Sequence, residues 1–84
     1  MEKRDAMRLT VLTPEKTLLE AQVSKVSLPG SKGAFMVLRN HAPLISSLTE
    51  GDLAYISGSE EGRIHLLAGF VEVNDNVITV CAEV

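Results

Sequence analysis

The stretch "GFVEVNDNVITVCAEV", residues 69–84, decides the fold. Two β-prone runs, residues 70–73 and 77–80, flank Asn74-Asp75-Asn76, a trio suited to a tight turn. The spacing predicts a hairpin, with Val71 and Val80 in the core. Cys81 lies in the apolar run 77–82, so it reads as a small buried hydrophobe. Runs that are apolar on both faces suit strands covered on both sides, by a second sheet or by a partner.

Upstream, the same periodicity recurs. In "RLTVLT", Leu9 and Val11 point one way and Thr10 and Leu12 the other. "VSKVSL" sets Val26 and Leu28 on one face, and "LAYIS" follows the turn signal Glu50-Gly51-Asp52. "RIHLLAGFVEV" reads as one long β run with Gly69 a candidate bulge. Pro29-Gly30, Gly33, Gly51-Asp52, Gly58-Ser59 and Gly62 punctuate the chain at short intervals, which favours an all-β sandwich or barrel. Thr13-Pro14-Glu15-Lys16-Thr17 fits either a turn or a helix start, with Thr as cap and Pro at the first helical position.

Eighty-four residues make a single domain, 1–84, with residues 1–7 expected as a flexible N-terminal tail. Net charge is −3, the basic residues are scattered and aromatics are 4%, so nucleic acid, which needs clustered cations and stacking rings, is not an expected partner. No apolar run approaches the ~20 residues that cross a bilayer, so no direct membrane insertion is expected.

Catalysis finds little support. Ser46, Ser47, His41 and Asp52 are all present, but no G-x-S-x-G elbow organises them. Glu60-Glu61 reads as a solvated loop pair with no burial to split its acidities. His41, His65 and Cys81 lack metal-ligand spacing; His65 reads as a strand-surface histidine. "LPGSKGAF" has glycines and a lysine but not the phosphate-loop pattern, so a hairpin loop is the plainer reading. No cofactor and no metal are expected.

Two blocks carry more. "VSLPGSKGAFMVLRNHAPLISSLTEGDLAYI" contains Gly30, Gly33, His41-Ala42-Pro43-Leu44 and Gly51. "GFVEVNDNVITVCAEV" contains Gly69-Phe70, Glu72-Val73, Asn76 and Val77 to Val80. Together they resemble the N-terminal β-sandwich domain of the epsilon subunit of bacterial F-type ATP synthase, over about residues 8–84. The resemblance implies a ten-stranded β-sandwich of two five-stranded sheets, with a turn rather than a helix at Pro14. It implies a non-catalytic rotor subunit that grips the gamma subunit and stands on the c-subunit ring. Its place would be the cytoplasmic face of the bacterial plasma membrane, peripheral through the complex. Ser31, Lys32, Gly33, Ala34 and Phe35 would meet the c ring. Arg39, Asn40, His41, Ala42 and Pro43 would meet gamma or the c ring, near the same end, with His41 a hydrogen-bonder at the rim. Met36, Arg39 and Ala34 depart from the glycine, proline and acid that many or some members have there, so Lys32 would supply the loop's charge. Most members continue into a C-terminal pair of helices that can extend along gamma and brake ATP hydrolysis; this sequence stops at Glu83-Val84. A chain ending there couples the rotor without that brake, and a piece of a longer chain leaves the brake elsewhere. A free-standing β-sandwich adaptor or ligand-binding module is the rival reading.

Overall fold

Side-chain alternation sets the strands. The computed structural model of the chain describes residues 7–84. Strand β1 (Met7–Leu12) buries Met7, Leu9 and Val11 and turns Arg8, Thr10 and Leu12 outward. Met7, expected in the tail, is therefore a strand residue: it pairs with Val23 and is 1% exposed, because it continues the inward row. The rest of the expected tail, residues 1–6, lies outside the described residues.

Eight further strands follow: β2 (Thr17–Val23), β3 (Lys25–Leu28), β4 (Phe35–Leu38), β5 (Leu44–Leu48), β6 (Gly51–Ser57), β7 (Glu60–Leu66), β8 (Ala68–Asn74) and β9 (Val77–Glu83). They form a five-stranded sheet, β2-β1-β9-β8-β5, and a four-stranded sheet, β4-β3-β6-β7. The architecture is the expected all-β sandwich, with nine strands among the described residues rather than ten. Outside the named strands, the ladder adds an isolated bridge between Gly30 and Leu48, too short to make another strand.

No helix starts at Pro14. The Thr13 amide donates to the Lys16 carbonyl at 2.8 Å, and the Lys16 amide returns to Thr13 Oγ1 at 3.2 Å, closing a turn before β2. The long run 60–74 is broken at Leu67, where the chain leaves the four-stranded sheet for the five-stranded one. Ser24 makes the opposite switch between β2 and β3, its amide donating to the Ile56 carbonyl at 2.9 Å.

The expected hairpin is present, with Asn74 paired to Val77 across Asp75 and Asn76. Both turn residues have positive φ, 52° and 64°, as a two-residue hairpin turn of right-handed twist demands. Gly69 is not a bulge, since the β8 register runs unbroken on both sides. A Cβ there would lie 2.5 Å from the Cys81 carbonyl oxygen, so glycine serves close backbone approach. The register shift falls instead between β1 and β2, where Val11 pairs with Leu19 and Leu12 with Thr17, leaving Leu18 as the extra residue. Glu60 and Glu61 open strand β7 rather than lying in a loop, and both are exposed.

The core forms between the sheets from fifteen buried apolar residues, Val26, Leu28, Val71 and Val80 among them, with no buried polar side chain among the described residues. Across the inner face of the larger sheet, Val11, Val80 and Val71 stand in one register row. Cys81 is not in this core. Ile78, Val80 and Ala82 take the inward positions of β9, which turns Cys81 to the outer face, half-buried beside Leu12, Pro14 and Phe70.

Candidate protein-contact surface

Residues 31–43 run along one edge of the sandwich, as a loop, a strand and a turn. The loop joins β3 to β4. Gly33 has φ 130°, a backbone region that only glycine adopts readily. Its amide donates to the Gly30 carbonyl at 3.0 Å. A Cβ at Gly30 would sit 2.6 Å from the Gly33 carbonyl oxygen and 2.9 Å from the Phe35 ring, so this turn requires glycine at both positions. Ser31, Lys32, Gly33 and Ala34 are exposed, whereas Phe35 is half-buried against the core. The loop is tied to β5 and the turn after it. The Ser31 amide donates to the Ser47 carbonyl at 3.0 Å, Ser47 Oγ lies 2.9 Å from Ser31 Oγ, and the Thr49 amide donates to the Pro29 carbonyl at 2.8 Å.

The other expected contact stretch follows β4. Asn40 has φ 67°, and the His41 amide donates to the Leu38 carbonyl at 3.1 Å. The Asn40 amide donates to Asn76 Oδ1 at 2.6 Å, and Asn76 Nδ2 donates to Asn40 Oδ1 at 3.1 Å. This reciprocal pair pins the turn to the tip of the β8–β9 hairpin. His41 is half-buried, and its Nδ1 donates to the Ala42 carbonyl at 2.8 Å. With Asn40, Pro43, Asn74, Asp75 and Asn76 it lines a shallow polar concavity of about 520 Å³.

The two stretches do not share an end. Leu44, next to Pro43, pairs with Val73, whereas Leu48, bridged to Gly30, pairs with Gly69. The turns therefore cap opposite ends of β5, about 14 Å apart over the four steps from Leu44 to Leu48 at ~3.4 Å per residue. This corrects the expectation of a single cluster. The cause is β4, which runs antiparallel to β3 with Leu28 opposite Phe35 and Lys25 opposite Leu38, and so carries the chain from one end to the other. Met36 and Leu38 on this edge strand are 46% and 51% exposed. They join the two turns into one strip, polar at its ends and apolar between, and sequence reasoning had not singled them out as contact residues.

No catalytic arrangement emerges among the described residues. His41 and Ser47 sit toward opposite ends of β5, and Ser46 Oγ donates to the Ser47 carbonyl at 3.0 Å. Asp52 does meet a histidine, but it is His65. Its Nδ1 lies 2.8 Å from Asp52 Oδ1 and its Nε2 lies 3.2 Å from Glu50 Oε2, so both ring nitrogens face carboxylates and none is left to act as a base toward a serine. Hydrogen bonds to Asp52 and then Glu50 raise the His65 pKa above its ordinary 6.5. No cluster of metal-ligating side chains is found among the described residues.

The fold and its two loop-capped ends define a small two-sheet β-sandwich. Comparison with known proteins makes this specific: the profile of the ATP synthase delta/epsilon chain β-sandwich domain matches residues 6–84, and the chain belongs to that family. It is 41% identical over 83 residues to the ATP synthase epsilon chain of Nitratidesulfovibrio vulgaris strain Miyazaki F, covering 99% of this chain and 60% of that one. It is 40% identical over 78 residues to the epsilon chain of Anaeromyxobacter sp. strain K, covering 93% and 59%. The chain thus spans about 60% of the length of these relatives. Among solved structures, a chain of the Tetrahymena thermophila mitochondrial ATP synthase central stalk and c ring superposes with a TM-score of 0.82 at 21% identity, covering 99% of this chain and 67% of that one. A chain of the Euglena gracilis mitochondrial ATP synthase gives 0.85 at 23% identity, covering 90% and 49%. These two show the shared fold.

Proposed function

We propose that this chain is a non-catalytic rotor subunit of the central stalk of a proton-translocating F-type ATP synthase, coupling the gamma subunit to the c ring. Identity of about 40% to epsilon chains along nearly all its residues carries this reading. The geometry supports it. A coupling part must be stiff and must be gripped at separate places, and here a packed two-sheet core separates two loop-capped ends.

On this reading the loop of Ser31, Lys32, Gly33, Ala34 and Phe35 meets the polar loops of the c ring, with Lys32 its cation. The turn of Arg39, Asn40, His41, Ala42 and Pro43 lies at the other end and meets gamma. The exposed apolar residues Met36 and Leu38 extend that contact along β4, since an interface held under torque needs a desolvated apolar centre inside a polar rim. On this reading its partners would hold it at the cytoplasmic face of the membrane; no helix among the described residues is long and apolar enough to cross one. Co-expression with the gamma subunit of the same organism tests the proposal: a stable 1:1 complex is expected. A folded chain that leaves gamma unbound in size-exclusion chromatography refutes it and favours a free-standing adaptor.

A further inference from the structure

The outer face of the four-stranded sheet carries a charge cluster that the contact surface does not use. His65 on the edge strand β7 stands opposite Asp52 on β6. Asp52 Oδ1 takes one ring nitrogen at 2.8 Å, and Glu50, in the turn between β5 and β6, takes the other at 3.2 Å. Arg63, two residues back on β7, lies 3.6 Å from the second Asp52 oxygen. We propose that Glu50, His65 and Asp52 form a proton-dependent clasp that stiffens the end of the sandwich carrying the 30–35 loop.

The argument is one of donors and acceptors. An ionised carboxylate only accepts hydrogen bonds, so a ring flanked by two of them satisfies both only as imidazolium, which donates from each nitrogen. The neutral ring carries one N–H. It keeps the shorter bond to Asp52, its register partner, and then turns a lone pair toward Glu50. The group of four charges is balanced with His65 protonated and carries one net negative charge without it. Glu50 is the member free to leave, because it belongs to a turn rather than a ladder.

The consequence reaches beyond the turn. The same turn holds the 30–35 loop, through the Thr49 amide on the Pro29 carbonyl and the packing of Pro29 against Gly51, where an added Cβ would lie 2.8 Å from the proline ring. The neighbouring Gly30–Leu48 bridge and the Ser31–Ser47 bond continue the link. Fixing Glu50 to β7 therefore fixes the base of the loop, and releasing it loosens the base while the core strands stay as they are. All members of the clasp are solvent-exposed, so the effect is modest, about two- to five-fold in local opening.

Amide exchange of the isolated 15N-labelled chain tests this, with the His65 ring titrated by NMR in the same samples. Protection factors of Ser31, Gly33 and Thr49, whose amides are hydrogen-bonded here, should fall about two- to five-fold with the midpoint of the His65 titration. Those of Leu9 and Val80, which exchange only on global unfolding, are the reference and should fall by no more than the change in global stability. In Glu50→Ala the three loop amides should show the low value at every pH, and in His65→Gln they should lose their pH dependence. Loop protection that ignores the His65 titration, or that changes with pH equally in His65→Gln, overturns the clasp. Because it is read on the isolated chain, the result is independent of whether gamma binds.

Discussion

Val80→Asp probes the centre of the fold. Val80 is fully buried, paired with Val11 on one side and Val71 on the other, and faces the second sheet. An aspartate there has no cation within the core, since no polar side chain among the described residues is buried. The cheaper way to bury it is to protonate it, which at pH 7 costs about 4 kcal/mol for a group whose free pKa is ~3.9. The protonated acid still lacks hydrogen-bond partners, at about 1–3 kcal/mol. Loss of the valine's burial adds about 1.5–3 kcal/mol. The total is roughly 7–10 kcal/mol, against a stability of about 4–13 kcal/mol for a chain of this length. The variant is expected to be unfolded at 25 °C by circular dichroism, or to unfold at very low urea. Val77→Asp is the control: it lies on the same strand but is 44% exposed, and should stay within about 0.5 kcal/mol of wild type. A cooperative urea transition for Val80→Asp at the wild-type midpoint would show that the inner row of the larger sheet has been misassigned.

Four further outcomes follow from the same geometry. Gly33→Ala forces a Cβ residue into φ 130°, and should cost about 1–3 kcal/mol in urea unfolding although nothing crowds the new methyl group. Asn76→Ala removes both side-chain bonds to Asn40, and should raise amide exchange in residues 39–41 while moving the global midpoint by about 1 kcal/mol or less, as the pair is exposed. His41→Ala should leave the fold intact and weaken gamma binding; unchanged affinity in a calorimetric titration would remove this turn from the interface. His65 also has a stability signature. Its folded pKa is raised, so its contribution is complete below about pH 6.5 and is lost as pH rises through the folded value. The thermal midpoint should therefore drop between pH 6 and pH 8.5 more in wild type than in His65→Gln, and equal drops would refute the linkage.

The sheets were legible where one face is buried and the other wet. Leu9 and Val11, and Val26 and Leu28, follow from period two, because a slip of one residue would expose each row. The sheet switches at Ser24 and Leu67 were not legible, since a strand that ends one sheet and a strand that begins the other read as one β run. Cys81 was misplaced because the run 77–82 is apolar on both faces and gives no parity; only its partners Leu12 and Phe70 reveal the outward side. At the contact surface, the Gly30–Gly33 loop and the Asn40–Pro43 turn were visible from their residues. Their separation was not, because it depends on β4 running antiparallel to β3. The His65 clasp had a usable signal. A two-residue turn at Gly58 and Ser59 pairs Ser57 with Glu60, and counting outward along both strands sets Asp52 opposite His65.

The separation of the two turns bears directly on how such a body could transmit force. A strand is nearly inextensible along its length, and β5 runs from one turn to the other with β8 hydrogen-bonded beside it. Force entering at the His41 turn passes into β5 directly and into the β8–β9 hairpin through the Asn40–Asn76 pair. It leaves at the other end through Leu48, Thr49 and the bonds that hold Pro29, Gly30 and Ser31. On the rotor reading, backbone ladders and a close-packed core would bear the load along this route. The parts outside the ladders are the exposed loop 31–34 and the turn that carries Glu50. A proton on His65 would therefore act where the ladders leave the body some give.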